Sequence, residues 1–181
     1  MRTLFLLFMI LQLFSCNRFS PQEKEIRDNL KKNVNLNMLI NIQEGNTEIS
    51  FNDFQNKYKY IYLVYLRNSC VPCYSTYIRW QKEMPAINEF DDCTVLFIIN
   101  GSSYDEFIGE AFKSGLESDC FFTFMDPNDT FINGNEEIPE SIIKSSILIN
   151  EKNQIVLIGS PFSTPEMTKV FKAICSKEET H

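Results

Sequence analysis

Two cysteines separated by two residues, Cys70 and Cys73, are the side chains of this sequence that are best spaced for chemistry. Such a C-x-x-C pair can cycle between a dithiol and a disulfide, supply half of a zinc site, or close a structural disulfide. Zinc needs two further Cys or His ligands, and Cys93, Cys120 and Cys175 fall on or beside separate predicted elements. The pattern favours a redox dithiol, so we expect no metal and no cofactor beyond the cysteine pair.

The sequence around the C-x-x-C pair predicts a strand, a short turn and a helix. Residues 61–66 are consecutive apolar residues, typical of a strand buried on both faces of a parallel sheet. After the cysteines, Tyr77, Trp80 and Met84 recur at near-helical spacing. The first thiol then lies at a helix N-terminus, where free N–H groups and the macrodipole stabilise a thiolate. Pro72 suits the first helical turn because the N–H that it lacks would have no partner there.

Composition excludes several classes of function. The chain has 181 residues, a net charge of −7 and no basic cluster, so nucleic acid is not an expected partner. The length suits one sizeable core. Its single histidine is the last residue, His181. Ser-His and Cys-His nucleophile pairs and HExxH zinc sites are therefore not expected.

The N-terminus predicts a cleaved leader followed by a lipidated cysteine. Residues 4–14 are almost entirely apolar, which is the length of a signal-peptide core and too short to span a bilayer. The run ends at Ser15-Cys16 and resembles a bacterial lipobox. We predict a signal peptide over residues 1–15 and a lipid anchor on Cys16; a plain secretory peptide with an incidental cysteine is the alternative. Residues 16–35 form the predicted tether, with a capping box predicting a helix from about Pro21 to Asn33.

The rest of the chain alternates predicted strands and helices, which favours an α/β fold with a mixed sheet and helices on both faces. The predicted domain covers residues 36–177, followed by a tail at 178–181. Its further elements are a hairpin at 38–42 and 47–51, strands at 95–99 and 121–125, a helix at 104–115, a hairpin at 146–150 and 155–159, and a helix at 164–175.

This order of elements resembles the membrane-tethered thioredoxin-like family, which includes redoxins and cytochrome-maturation-type thiol:disulfide reductases. The resemblance covers residues 36–176. It rests on the motif at 70–73, the segment 48–54 before the central strand, the extra strand at 121–126 and the hairpin at 147–156. It implies a thioredoxin-like three-layer α/β/α sandwich with a mixed central sheet, an N-terminal hairpin and an extra αβ insertion.

The same resemblance defines an active-site environment made of Ser69, Val71, Pro72 and Lys144. Ser69 stands where the family commonly has an aromatic residue. Lys144 stands where the family has a cis-proline facing the thiols, and a residue other than proline is rarely cis. A lysine beside the thiols would favour the thiolate. Leu66 replaces the Thr of peroxide-reducing redoxins, so peroxide reduction is not expected.

Two other cysteines, Cys93 and Cys120, each start a predicted buried strand. If the two strands are parallel neighbours, as in the family, their thiols could be close enough to form a disulfide. The alternative, which we favour, is two buried thiols that act as small hydrophobic side chains. Cys175 is expected to face the core and to be inert.

The sequence thus predicts a lipid-anchored thiol:disulfide oxidoreductase of the bacterial cell envelope, in which Cys70 attacks and Cys73 resolves. Its expected partners are a protein or small-molecule disulfide or dithiol and, through Cys16, a membrane. We expect a monomer with its domain in the periplasm or at the cell surface. The alternative is a catalytically weak or inactive thioredoxin-fold lipoprotein that binds or scaffolds a partner, and Lys144 is the reason to consider it.

Overall fold

The computed structural model describes residues 20–68 and 71–176. The predicted signal peptide, Cys16, Ser69, Cys70 and residues 177–181 lie outside the described residues. Along the described chain the elements are α1 (Pro21–Asn29), β1 (Asn41–Glu44), β2 (Thr47–Ser50), α2 (Phe51–Lys57), β3 (Tyr60–Arg67), α3 (Val71–Ile87), β4 (Cys93–Asn100), α4 (Tyr104–Lys113), β5 (Phe122–Met125), α5 (Thr130–Asn133), α6 (Glu140–Lys144), β6 (Ile147–Asn150), β7 (Ile155–Ile158) and α7 (Pro165–Cys175).

The strands form one mixed sheet of seven strands in the order β2-β1-β5-β4-β3-β6-β7. At its centre β3, β4 and β5 are parallel, with Tyr60 level with Cys93 and Arg67 level with Asn100. The N-terminal hairpin β1–β2 adds to β5, and the C-terminal hairpin β6–β7 adds to β3, both antiparallel. The three parallel strands therefore end at the same edge of the sheet, the edge that the C-x-x-C segment follows.

Alternate residues of β3 and β4 enter two separate cores. Ile61, Leu63 and Tyr65 face the core that also holds residues of α2, α5 and α6. Tyr62 and Val64 face the opposite core, which α3, α4 and α7 cover. Both central strands are buried on both faces, as their unbroken apolar runs predicted, because helices cover each side of the sheet. The predicted layered α/β architecture is confirmed.

Helix α1 begins as predicted but ends early. The Ser20 hydroxyl accepts from the Glu23 N–H at 3.2 Å, and a Glu23 carboxylate oxygen accepts from the Ser20 N–H at 2.6 Å. The helix ends at Asn29 rather than Asn33, because Leu30 is extended and Lys31 has a positive φ of 70°. The predicted helix was therefore four residues too long at its C-terminal end.

The segment after α1 packs on the domain as an additional edge contact. The Lys31 N–H donates to the Ile155 carbonyl at 2.8 Å, the Ile155 N–H donates to the Lys32 carbonyl at 2.9 Å, and the Val34 N–H donates to the Asn153 carbonyl at 2.8 Å. Val34 is buried in the core of α2 and α6. The backbone groups at the outer edge of β7 are thereby partly covered.

Three short helices were not predicted. Helix α2 occupies Phe51–Lys57, where we expected the end of a strand and a polar link, and it buries Phe51 and Phe54. Helix α5 is held by the buried Asp126, whose carboxylate accepts from the N–H groups of Thr130 and Phe131 at 2.8 and 2.9 Å. Helix α6 directly precedes β6. Pro85 lies within α3, which continues only to Ile87.

Across residues 20–68 and 71–176, no helix combines the length and the apolar character needed to cross a membrane.

Candidate redox site

The end of β3 is tied to β4 and to α3 immediately before the C-x-x-C motif. The Asn68 N–H donates to the Asn100 carbonyl at 2.9 Å, which continues the pairing of β3 with β4. The Asn68 side-chain oxygen accepts from the Tyr74 hydroxyl of α3 at 2.8 Å. A Cβ on Gly101 would lie 2.8 Å from the Asn68 Cβ, so glycine permits this close approach. The chain therefore leaves β3 from a fixed strand end.

The first turn of α3 presents an exposed surface and one half-buried thiol. Val71 is 77% exposed, and Pro72 is exposed beside it. Cys73 is half-buried and packs against the core beneath α3. Helix α3 has 17 residues, so its macrodipole is well developed at this end. These positions suit a resolving role for Cys73, while the predicted attacking residue, Cys70, stays a prediction.

A charged cluster lies beside the end of β3; we call Tyr65, Arg67, Asp129, Glu140 and Lys144 the Glu140 cluster. A Glu140 carboxylate oxygen lies 2.6 Å from the Lys144 ammonium and 3.5 Å from the Arg67 guanidinium. The Tyr65 hydroxyl donates to the Asp129 carboxylate. Hydrogen bonding and attraction to Lys144, and more weakly to Arg67, hold the pKa of Glu140 below its usual value. The carboxylate thus stays ionised between two cations.

Lys144 is the last residue of α6, three residues before β6 begins. Because β6 starts opposite Leu63, α6 lies beside the second half of β3 and contacts it. No peptide bond is cis within residues 20–68 and 71–176. Lys144 is paired with Glu140, which also pairs with Arg67, three residues before Cys70. Its effect on the Cys70 thiolate stays a prediction.

The Cys93–Cys120 disulfide, which we considered less favoured than two separate thiols, is not formed. Cys93 begins β4 and is buried, whereas Cys120 precedes β5, is exposed, and has its sulfur 2.9 Å from the Ser118 hydroxyl. Of the two, only Cys93 is the buried thiol that we expected. Hydrogen bonding to Cys175 and burial raise the pKa of the Cys93 thiol. The neighbour of Cys93 is therefore the last residue of α7, a contact that the sequence analysis did not predict.

A second polar cluster connects α3, α4 and the approach to β5. Asp119 accepts hydrogen bonds from the Tyr77 hydroxyl at 2.6 Å, from the Gln81 amide at 2.7 Å and from the Tyr104 hydroxyl. The Gln81 carbonyl oxygen accepts from the Cys120 N–H at 2.8 Å. Burial, then the neighbouring Asp119, raise the pKa of Tyr77. This cluster fixes α3 against the sheet one and two turns beyond Cys73.

The two clusters were not predicted from the sequence, for different reasons. Arg67 had a visible signal, since it is a cation that ends an otherwise apolar strand next to the motif. Glu140 and Asp129 lie in segments to which we assigned no helix or strand, so no pattern aligned them with Arg67. Asp119 belongs to no sequence motif, and only the docking of α3 on α4 brings Tyr77 and Tyr104 to it.

No family model and no curated protein matches the sequence. Solved structures do match the fold. A Chlorobium tepidum protein described as a thiol:disulfide interchange protein, DsbE, is 15% identical with a TM-score of 0.53, covering 80% of this chain and 96% of that one. The reduced 2-Cys peroxiredoxin of Plasmodium vivax is 17% identical with a TM-score of 0.59, covering 81% and 96%. Thioredoxin of Wuchereria bancrofti is 15% identical with a TM-score of 0.52, covering 80% and 98%.

At identities this low, the solved structures support the architecture alone. They agree with the mixed seven-stranded sheet, the parallel centre and the two helical layers. The chain has a thioredoxin-like α/β fold.

Proposed function

We propose that the protein is a lipid-anchored thiol:disulfide oxidoreductase of the cell envelope. The observation that carries the proposal is the position of the C-x-x-C pair in a thioredoxin-like fold. The pair directly follows the central strand β3 and precedes the body of the 17-residue helix α3. The Chlorobium tepidum protein with the same fold is described as a thiol:disulfide interchange protein, which supports the same class of chemistry.

In the proposed reaction the Cys70 thiolate attacks one sulfur of a substrate disulfide. A mixed disulfide with Cys70 forms, and the other substrate sulfur leaves as a thiolate. The Cys73 thiolate then attacks the Cys70 sulfur, which closes the Cys70–Cys73 disulfide and releases the second substrate thiolate. The substrate gains two electrons and, once its thiolates are protonated, two protons. The protein loses the same two electrons and is thereby oxidised. Read in reverse, the same steps oxidise a substrate dithiol.

The surroundings of the motif support this division of roles. A thiol placed just before the first residue of α3 meets the unpaired N–H groups and the positive end of the helix dipole, both of which favour a thiolate. Cys73, half-buried against the core, is less accessible to a large substrate than the exposed Val71 beside it. We assign to Lys144 an electrostatic role through the Glu140 cluster, in addition to its place before β6.

The proposed location rests on the leader of the sequence. Residues 1–15 would be removed, and lipidated Cys16 would hold the domain at the membrane surface by its acyl chains. Two observations test this part. Metabolically supplied fatty acid should label the wild-type protein, and the Cys16→Ala variant should lose the label and leave the membrane fraction.

The decisive experiment for the activity combines a redox titration of the Cys70–Cys73 pair with trapping. With Cys73→Ser, the mixed disulfide on Cys70 has no resolving thiol, so covalent complexes with substrate should accumulate and disappear on reduction. Cys120→Ser is the matched control and should trap nothing. A potential below about −300 mV without trapped substrate would instead support a structural disulfide in a binding or scaffold module.

A further inference from the structure

The last turn of α7 is firmly docked on the segment before β4. The Lys172 ammonium lies 2.5 Å from a Glu89 carboxylate oxygen. The Phe171 ring is fully buried and contacts the Phe90 ring edge-on, with centroids 6.3 Å apart. Phe171 also packs on Tyr62 of β3, with centroids 5.8 Å apart. These contacts fix the position of the residue that ends α7, Cys175.

Two thiols meet at this junction. Cys93 is 4% exposed and Cys175 is 6% exposed, and both belong to the core under α3, α4 and α7. Each is a free thiol in the structure, and the Cys93 thiol interacts with Cys175 by hydrogen bonding. Tyr62 lies near both. Nothing in the proposed reaction of Cys70 and Cys73 uses this pair.

We propose that Cys93 and Cys175 are a second redox pair, which forms a disulfide between the start of β4 and the end of α7 when the protein meets an oxidising protein disulfide or low-molecular-weight disulfide. One thiolate attacks the oxidant and forms a mixed disulfide; the other attacks the protein sulfur of that bond and closes the Cys93–Cys175 bridge. The oxidant leaves as two thiols, carrying two electrons and two protons. The proposal does not depend on the activity of Cys70.

The environment determines when the pair can react. Both thiols are shielded from a disulfide in solution, and hydrogen bonding to Cys175 together with burial raises the pKa of the Cys93 thiol. Reaction therefore requires the last turn of α7 to open, or takes place before α7 docks during folding. Once formed, the bridge is equally shielded from reductants. It is thus a folding-coupled structural oxidation rather than a catalytic cycle.

The expected consequence is a more stable oxidised protein. A bridge between Cys93 and Cys175 closes a loop of about 80 residues, which removes conformational freedom from the unfolded chain. We expect oxidation of this pair to raise the thermal unfolding midpoint by about 5 °C or more.

The experiment maps disulfides in the full chain. The reduced, unfolded protein is refolded with oxidised glutathione or, in parallel, with reduced glutathione. Remaining thiols are blocked with N-ethylmaleimide in denaturant, and the protein is digested without reduction for mass spectrometry. A peptide pair linked through Cys93 and Cys175 in the oxidised sample alone supports the proposal. Maleimide or glutathione on both residues, or linkage of either to another cysteine, overturns it.

Thermal unfolding provides the second readout. The rise in midpoint on oxidation should be lost in Cys175→Ala and in Cys93→Ala, apart from any contribution of the Cys70–Cys73 bridge. The matched control Cys120→Ala should keep the whole rise. An undiminished rise in Cys175→Ala would contradict the proposal, and if that variant fails to fold, the peptide map of the wild-type chain decides alone.

Discussion

The two ends of the β3–β4 pair have different surroundings. Cys93 lies level with Tyr60 at the start of the pair, whereas the C-x-x-C motif follows Arg67 at the other end, about 23 Å away along the strands. At the motif, Val71 is 77% exposed; at the start of β4, Cys93 is 4% exposed. One end is open and bordered by charged side chains, and the other is covered by aromatic rings and α7.

Under the proposed function, this difference assigns two tasks to the same functional group. A thiol at a helix N-terminus in an open site is available as a thiolate and exchanges readily. A thiol under a helix, in an apolar core, stays protonated and contributes packing. Position along the strand, rather than cysteine itself, therefore sets the chemistry. Each of the following predictions compares the two ends.

The largest difference should appear in catalysis. Cys70→Ser removes the proposed nucleophile and should lower the rate of insulin reduction by at least about a thousandfold. Cys93→Ala should keep the rate within about twofold. A loss of similar size in both variants would contradict the division between a reactive end and a buried end.

Native-state alkylation should separate exposed thiols from buried ones. Cys120 is exposed, whereas Cys93 is buried and has a raised pKa. We expect iodoacetamide to modify Cys120 at least about a hundredfold faster than Cys93, because the latter reacts only on local opening. Peptide mass spectrometry over time measures both rates. In denaturant the two rates should converge, and equal rates in the native protein would show that the junction at α7 is open.

Stability should decline at high pH because of phenols buried in the same core as Cys93. Burial raises the pKa of Tyr62 and of Tyr77 above the usual tyrosine value of 10.0. Above about pH 10 the unfolded chain releases these protons while the folded chain retains them, so stability falls as pH rises, by at most about 1.4 kcal/mol per pH unit for each tyrosine.

Urea unfolding at pH 8 and at pH 10.5 measures this decline. Tyr62→Phe removes one of the phenols, so its loss of stability between the two pH values should be smaller than that of the wild-type protein. Tyr58→Phe, at a half-buried ring on the other core, is the matched control. An identical midpoint at both pH values would contradict the assignment.

The smallest effect concerns the charges beside the open end. Glu140→Gln removes the anion that pairs with Lys144 and Arg67, so their positive charge would act more strongly on the Cys70 thiolate. The pKa of Cys70 should fall by up to about half a unit, a modest change because the cluster is exposed. The pH profile of alkylation measures it. Glu89→Gln, which breaks the pair with Lys172 at the far end, should leave the profile unchanged.

The sequence predicted those strands and helices whose own spacing of apolar residues is distinctive. The unbroken apolar runs of β3 and β4 and the periodic α3, α4 and α7 identified the layered fold, since buried strands and amphipathic helices have distinct spacings. Helices α5 and α6 have four and five residues, too few for a helical period to be visible. The Cys93–Cys175 contact and the Asp119 cluster depend on how distant elements dock, which no local pattern records.

The backbone bonds between Lys31 and Ile155 give the proposed anchoring a definite length. Between Cys16 and Lys31, the chain contains the nine helical residues of α1 and six others, counting Cys16 itself. With about 1.5 Å per helical residue and about 3.5 Å for each extended one, the docked edge of β7 can rise no more than about 35 Å from lipidated Cys16. The β7 edge of the domain would then stay within that distance of the bilayer surface, and a partner would have to approach the domain close to the membrane.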